Sequence, residues 1–248
     1  QYAVPRKTLI DNLEEAVVEE KKIEEMDVVF LMDRFGYAKT VDVSVYERNK
    51  EAADTENRYI LTCKNTDKIC IFTNKGQMHL LKVLDLPYGK FRDKGIPIDN
   101  LSNYDSSEEN FIYIINLGAI IHSRLLFGTK TAMLKMVDGS EFDVAKRTTA
   151  STKLNEDDEL LIVHAMTGEE TVVMQSEKEM FLRIEASTIP EKKKGAVGVR
   201  GMKLNAGDAL SNIYVLDGEN EQTVEVKGKE VVLNRLRVGN RDTKGTKR

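Results

Sequence analysis

The sequence predicts an all-β protein assembled from about five copies of one hairpin unit. After residue 26, short runs rich in Val, Ile, Thr, Phe and Tyr alternate with turns that contain Gly, Asn or Asp. The helical periodicity of apolar residues fades over the same part of the chain. A pattern of apolar run, turn, and apolar run with a basic residue recurs at intervals of roughly 40–56 residues, which indicates a repeat architecture.

The repeated hairpins have five predicted turns. They lie at Gly36, Gly76, Ala132, Glu179 and Gly228. Two of these turns have lost the glycine, so the repeat is degenerate. A blade of four short strands needs roughly 40–50 residues, and a ring of blades leaves only short edges unpaired. The physical inference is a propeller-like disc of about five four-stranded blades.

A basic segment follows the hairpin in three of the units. Residues 89–101, "GKFRDKGIPIDNL", and residues 191–208, "EKKKGAVGVRGMKLNAGD", share a basic cluster, then Gly, then an apolar strand. Residues 239–248, "GNRDTKGTKR", begin in the same way.

Charge is distributed unevenly along the 248 residues. The net charge of −4, taken alone, argues against a nucleic-acid partner. Residues 11–25 hold seven acids and two bases, whereas residues 222–248 hold eight bases and three acids. We interpret residues 1–25 as an acidic linker from an upstream domain and residues 26–248 as the folded domain. The chain does not begin with Met, which favours a fragment of a longer protein.

Membrane, secretory and catalytic signals are weak in this sequence. No apolar run reaches the roughly 18 residues of a membrane span, and two cysteines make no disulfide framework, so we expect a cytoplasmic protein without membrane contact. The three histidines are scattered without metal-ligand spacing. Phosphate-loop and nucleophile-elbow motifs are missing. The sequence therefore predicts neither a metal site, nor a cofactor, nor catalytic residues in this chain.

Several segments resemble the C-terminal domain of the A subunit of bacterial type IIA topoisomerases, that is, DNA gyrase and topoisomerase IV. "RFGYAKTVDVSVYE" resembles the hairpin of the family's first blade, and "KICIFTNKGQMHLLKVLDLP" resembles the second. "KKKGAVGVRGMKLNAGD" resembles a T-G-V-R-G-[IM]-x-L-x-x-G-D segment, and "NRDTKG" an [NQ]-R-x-x-K-G loop. The resemblance covers nearly the whole chain.

The resemblance implies a β-pinwheel, in which each blade exchanges an outer strand with a neighbour and duplex DNA bends around a basic rim. It implies a non-catalytic domain within an assembly of two A and two ATPase B subunits, located in the cytoplasm with the nucleoid. The tyrosine that cleaves DNA, the ATP and the Mg²⁺ would belong to other parts of that enzyme.

One departure from the family concerns the basic, glycine-rich box of gyrase, Q-R-R-G-G-K-G. The corresponding stretch, residues 45–61, has no glycine and several acids, with Arg48 and Lys50 among its few bases. This difference favours topoisomerase IV over gyrase, and bending of DNA over strong wrapping.

DNA binding without sequence choice requires bases spread along a curved edge, where each neutralised phosphate releases counterions. The candidates are the bases of the second hairpin strands and of the segments that follow them: Lys39, Lys82, Lys90, Arg92, Lys94, Lys135, Arg183, Lys192, Lys193, Lys194, Arg200, Arg241 and Lys244. Two other hypotheses stay open, a propeller that contacts only proteins and a hydrolase with its site in a central channel.

Overall fold

Eighteen β-strands form most of the regular structure in the computed structural model, which describes residues 24–248. The strands are β1 (Asp27–Asp33), β2 (Tyr37–Asp42), β3 (Asn57–Lys64), β4 (Lys68–Thr73), β5 (Gln77–Lys82), β6 (Ile96–Pro97), β7 (Phe111–Asn116), β8 (Arg124–Thr129), β9 (Met133–Asp138), β10 (Thr148–Ala150), β11 (Leu160–Met166), β12 (Thr171–Ser176), β13 (Met180–Glu185), β14 (Val199–Arg200), β15 (Leu210–Leu216), β16 (Thr223–Val226), β17 (Lys229–Val232) and β18 (Thr246–Lys247). Apart from Glu24 and Glu25, the predicted acidic linker lies outside the described residues.

Helices are few and short. The α-helices are α1 (Val43–Arg48), α2 (Lys50–Glu56) and α3 (Leu117–Ile120), and 3₁₀ turns span Val83–Asp85, Ile98–Asn100, Gly139–Phe142, Ala186–Thr188 and Leu233–Arg235. None of the helices that the structure describes could cross a membrane.

The five predicted hairpins are confirmed as β1–β2, β4–β5, β8–β9, β12–β13 and β16–β17. Each turn contains a residue with positive φ, at Gly36, Gly76, Ala132, Glu179 and Gly228. The left-handed conformation costs little at glycine, but Ala132 and Glu179 adopt it with φ of 62° and 63°. Here the shape of the hairpin outweighs the local preference of the residue.

Four of the hairpins become four-stranded blades. In the first blade the order is β3-β1-β2-β6, and the same order repeats as β7-β4-β5-β10, β11-β8-β9-β14 and β15-β12-β13-β18. The last strand of each blade joins it only after the chain has formed the third strand of that blade, the hairpin of the next blade and a longer connection. We call β6, β10, β14 and β18 the exchanged strands. The fifth sheet has two strands in the described part of the chain, so five complete blades were not found.

The middle of the molecule is formed by the third strand of each blade. β3 contacts β7, β7 contacts β11, and β11 contacts β15. The exchanged strands pair on the opposite side of each blade, and they therefore lie at its outer edge. This arrangement matches the propeller-like disc predicted from the repeat.

The core consists of separate apolar layers between successive blades, because alternate strand residues point to opposite faces. Phe30 packs toward the second blade in a cluster with Ile71, while its neighbour Val29 points the other way. No further blade contributes to the cluster around Val29 within residues 24–248; α1 and α2 cover it instead, with Ala53 fully buried. Residues 43–56 thus form a helical cover for the first blade.

Candidate nucleic-acid interface

Three loops of equal length run along the outer edges of the first, third and fourth blades. We call residues 88–95, 191–198 and 238–245 the outer loops. Each begins at a parallel bridge to the second hairpin strand of its blade, through Tyr88, Glu191 and Val238. Each ends directly before an exchanged strand. The three basic segments found in the sequence therefore occupy equivalent places, each on the blade before the hairpin that it follows in the chain.

A glycine closes each outer loop because the loop backbone approaches the hairpin too closely for a side chain. A Cβ added to Gly95 or Gly198 would lie 2.7 Å from the carbonyl oxygen of Ala38 or Leu134. At Gly245 the same atom would lie 2.8 Å from the oxygen of Phe181. The order of residues along the basic segments pairs Gly195 with Gly95, but Gly195 faces open space, and the structural equivalent is Gly198.

Lys135 lies under the outer loop of the third blade and is 1% exposed. Its Nζ donates hydrogen bonds to the carbonyl oxygens of Lys193 (3.2 Å), Lys194 (2.8 Å) and Ala196 (2.8 Å). Burial lowers the pKa of Lys135 to about 8. We expected this lysine to contact DNA, but the structure gives its ammonium to the loop backbone, so no phosphate can reach it.

Lys39 holds the outer loop of the first blade in the same way, from the same register position. Its Nζ donates to the carbonyl of Phe91 and to that of Asp93 at 2.9 Å, which are the positions equivalent to Lys194 and Ala196. Lys39 is only half-buried, and burial lowers its pKa. It lies at the base of an open groove of about 810 Å³ between α2 and the loop.

Arg183 lies one residue further along the second strand of the fourth blade and bonds the turn that precedes the outer loop. Its NH1 donates to the carbonyls of Asn234 (2.5 Å) and Leu236 (3.3 Å), and its Nε donates to Thr171 Oγ1 at 2.9 Å. The three candidates Lys39, Lys135 and Arg183 are therefore placed to position the loops or the turns that lead into them. The residue pattern cannot distinguish this role from phosphate contact, since both require a base on the second strand.

The remaining candidates lie at the surface of the outer loops or beside them. Lys82, Lys90, Arg92, Lys94, Lys193, Arg200 and Lys244 are exposed, while Lys192, Lys194 and Arg241 are half-buried. Lys192 and Lys194 donate their Nζ protons to the carbonyls of Val197 and Glu141. In contrast, the Lys193 side chain is 86% exposed despite its ion pair with Glu141 at 3.5 Å.

The outer edges of neighbouring blades are also joined to each other. Arg241 NH1 donates to the carbonyl of Arg200 at 3.0 Å, and the Arg200 guanidinium lies 3.4 Å from the Asp242 carboxylate. These contacts connect the end of the third outer edge to the start of the fourth. Basic side chains therefore follow one another from blade to blade.

The second blade has no outer loop, and its second strand carries His79 where the first and third blades carry Lys39 and Lys135. The His79 ring is 3% exposed and contacts Glu109 Oε1 at 2.7 Å and Thr148 Oγ1 at 3.0 Å. No loop carbonyls of this blade lie above it, and a buried polar side chain needs hydrogen-bond partners. A carboxylate and a hydroxyl meet that need here.

Sequence reasoning missed several exposed bases on the same edges: Lys146, Arg147, Arg237, Lys247 and Arg248. Lys146 and Arg147 precede the exchanged strand of the second blade, as the outer loops do elsewhere, but no glycine follows them. Their shared place before β10 could have been found only by locating that strand.

Metal-binding groups do not assemble in the part of the chain that the structure describes. No three His, Cys, Asp or Glu residues within it could hold a metal ion. Burial raises the pKa of Cys63 to about 11 and that of Cys70 to about 12, so neither thiol forms a thiolate at neutral pH. What the edges can offer is positive charge and backbone N–H groups.

Comparison with known proteins supports the family indicated by the motifs. A family model described as "DNA gyrase C-terminal domain, beta-propeller" matches residues 123–165 and 170–217. The DNA gyrase A protein of Lawsonia intracellularis is 28% identical over 98% of this chain and 32% of the relative. The DNA gyrase A protein of Staphylococcus epidermidis is 29% identical over 94% of this chain and 28% of the relative. The chain spans less than a third of the length of these relatives.

Solved structures show the same fold. The C-terminal domain of DNA topoisomerase IV superposes with a TM-score of 0.80 at 22% identity, covering 90% of this chain and 73% of that domain. For the E. coli ParC C-terminal domain the TM-score is 0.72 at 14% identity, with 90% and 94% covered. The chain is similar to the C-terminal domains of the A subunits of gyrase and topoisomerase IV.

The four-stranded antiparallel sheets and the match to these solved structures confirm the β-pinwheel prediction. The C-terminal domain of DNA gyrase A superposes less closely, with a TM-score of 0.59 at 18% identity, covering 89% of this chain and 76% of that domain. The sequence relatives named above are gyrase proteins, whereas the higher TM-scores belong to topoisomerase IV. The preference for topoisomerase IV therefore stays a prediction.

Proposed function

We propose that this domain binds duplex DNA without sequence choice along its outer edge, bends it, and guides the transported DNA segment of an ATP-dependent type II topoisomerase. The domain would be the non-catalytic part of the A component of that enzyme, which works with an ATPase B component at the bacterial nucleoid. No cofactor is needed for this role, because ATP and Mg²⁺ would act elsewhere in the enzyme.

The observation that carries the proposal is the concentration of bases in the outer loops. These three loops contain eight lysines and arginines and three acids, although the chain has a net charge of −4. Bending a site of 20–30 base pairs costs on the order of 1–6 kcal/mol, so several phosphate contacts must offset it. Loops on successive blade edges supply such contacts along a curved path.

The structure also explains why the loops would present their charges reproducibly. Lys39 and Lys135 fix the backbones of two outer loops from below, Arg183 holds the turn that leads into the third, and glycines bring the loops against the hairpins. A base on a fixed loop loses less conformational entropy on binding than one on a flexible tail. The exposed Lys90, Lys193 and Lys244 therefore become the principal candidates for phosphate contact.

The salt dependence of DNA binding tests this function. Binding of a 40-base-pair duplex can be measured by fluorescence anisotropy between roughly 50 and 200 mM salt for the wild type and for a Lys90→Gln/Lys193→Gln variant. The slope of log K against log salt is negative, and each lost phosphate contact reduces its magnitude by about 0.9. The magnitude of the variant's slope should therefore be smaller by about 1.8. The control, Lys153→Gln/Lys229→Gln, removes the same charge from exposed positions outside the outer loops.

An equal loss of slope in the control would show that only net charge matters and would overturn the proposal for the outer loops. A second experiment reports the handedness of the DNA path around the domain. A plasmid is nicked and religated with the domain present, and the shift in its linking number is measured. The topoisomerase IV preference predicts binding without a linking-number shift, while a salt-sensitive shift would favour gyrase-type wrapping.

Contact with another protein is the second candidate function, and one feature of the first blade favours it. Phe35 is 71% exposed and Tyr37 is 43% exposed at the tip of the first hairpin. Both line the groove beside α2, whose three acids (Asp33, Glu56 and Asp93) are matched by three bases (Lys39, Arg92 and Lys94). Exposed aromatic rings beside balanced charges suit contact with a protein better than contact with DNA. If the wild-type domain bound no DNA at low salt, this candidate would replace the first.

A further inference from the structure

The second blade reaches its exchanged strand by a shorter route than the other blades. In the first blade the carbonyl of Pro87 accepts a hydrogen bond from Thr40 N at 2.9 Å, and an outer loop follows before β6. In the second blade the carbonyl of Arg147 accepts the equivalent bond from Leu80 N at 2.7 Å. β10 then begins at the very next residue, so no loop can carry bases outward here.

Four bases of the second blade line a groove of about 340 Å³ instead. They are Lys68 at the start of β4, Lys82 at the end of β5, and Lys146 and Arg147 just before β10. Asp85 is the one acid among the residues described as lining it. Lys82, Lys146 and Arg147 are exposed and Lys68 is half-buried, so all four can reach a ligand in the groove.

The charge pattern of this groove reverses that of the other blades. Lys68 lies directly opposite Lys82 in the β4–β5 ladder, whereas the equivalent pair in the third blade is Arg124 opposite Asp138. The last residue of the second strand is acidic in the first, third and fourth blades, where it is Asp42, Asp138 and Glu185. Like charges directly opposite each other destabilise a sheet.

Residues 24–248 supply no close counterion for these bases. Between residues 24 and 248, no carboxylate lies within 4.0 Å of the charged nitrogens of Lys68, Lys82, Lys146 or Arg147. A cluster of four bases with an unfavourable pair at its centre is suited to an anion that several of them contact at once.

We propose that this groove binds a phosphate of the DNA backbone and that it replaces the missing outer loop of the second blade. The inference rests on the proposed function and adds a contact of a different kind, made by strand ends rather than by a loop. It would keep the row of phosphate contacts continuous between the first and third blades.

Two variants test the groove in the anisotropy assay described above. Lys82→Gln/Arg147→Gln should reduce the magnitude of the slope of log K against log salt by about 1.8, whereas Lys153→Gln/Lys229→Gln should leave that slope unchanged. Lys82→Asp restores the acid found in the other blades, so it should raise the melting temperature at low salt while weakening DNA binding. A purely structural role for Lys82 would move stability and binding in the same direction.

Inorganic pyrophosphate provides a readout that does not involve DNA. A ligand that binds only the folded state raises the melting temperature. Pyrophosphate should therefore stabilise the wild type, and it should stabilise Lys82→Gln/Arg147→Gln less.

The possible outcomes separate this inference from the function on which it rests. Wild-type binding with an unchanged slope in the groove variant would overturn the inference alone. If that variant also lost stabilisation by pyrophosphate, the groove would serve a small phosphate ligand rather than DNA. An absence of wild-type DNA binding would overturn the proposed function and this contact with it.

Discussion

The second and third blades have the same strand order but hold their outer edges by different chemistry. In the third blade, Lys135 donates to three carbonyls of an eight-residue loop. In the second blade no loop is present, and His79 at the same register position bonds a glutamate and a threonine. The comparison teaches that the residue type at this position follows the hydrogen-bond partners around it, even within a repeat. Where loop carbonyls lie above the strand the residue is lysine, and where they do not it is histidine.

The largest expected effect is that of Lys135→Met, which leaves three loop carbonyls without a donor. Hydrogen bonds to charged groups contribute roughly 1.5–3 kcal/mol each, and release of a buried ammonium offsets part of the loss. We expect the free energy of unfolding in urea to fall by about 3 kcal/mol. Lys39 is the half-buried equivalent of Lys135 in the first blade, and Lys39→Met should lower the free energy of unfolding by only about 1 kcal/mol. Equal losses in the two variants would contradict the idea that burial makes the difference.

Glycine substitutions in the third outer loop should have the next largest effect. Gly198→Ala places a methyl group against the Leu134 carbonyl and should cost about 2 kcal/mol, measured by urea unfolding. Gly195→Ala points into open space and should change stability by less than about 0.5 kcal/mol. A larger loss at Gly195 would mean that the two loops had been aligned wrongly.

In the second blade, His79→Gln should cost about 1 kcal/mol, since the amide can replace only part of the bonding to Glu109 and Thr148. Thermal unfolding gives the measurement. His122→Gln is the matched control, because the His122 side chain is exposed. Its melting temperature should equal that of the wild type. Identical melting of both variants would show that the buried network does not stabilise the edge.

The last prediction concerns the pH dependence of stability in the third blade. Lys135 has a pKa of about 8 when folded and 10.5 ordinarily, so the unfolded state binds more protons between these values. The stability contributed by Lys135 therefore rises with pH from about 8 to 10.5. The difference in unfolding free energy between wild type and Lys135→Met should therefore increase from about pH 7 to about pH 9.5. A decrease over this range would contradict the predicted direction of the pH dependence.

The repeat was predictable because hairpins leave a local signature. Alternating apolar runs and turns identified all five hairpins, including those at Ala132 and Glu179, where no glycine marks the turn. Helices α1 and α2 were not predicted. Their apolar residues cover only the one face of the first blade that lacks a neighbouring blade, and this need is visible only once the blades are stacked.

The candidate site was predictable in its charges but not in their roles. The sequence pointed to both Lys135 and Lys193, which the structure separates into a buried loop support and an exposed base. The equivalence of Gly95 and Gly198 depends on backbone approach rather than on distance along the chain. The bases Lys146 and Arg147 escaped notice because their blade has lost the loop that marks the others.

The exchanged strands make neighbouring blades depend on one another for completion. β18 completes the fourth blade, yet it follows the fifth hairpin in the chain. A deletion after Leu216, chosen to remove the fifth hairpin alone, would also strip a strand from the blade before it. In such a domain, the sequence that encodes one blade is interrupted by the hairpin of the next blade. Adding or removing a whole blade therefore requires recombination within two successive blades rather than at a boundary between them.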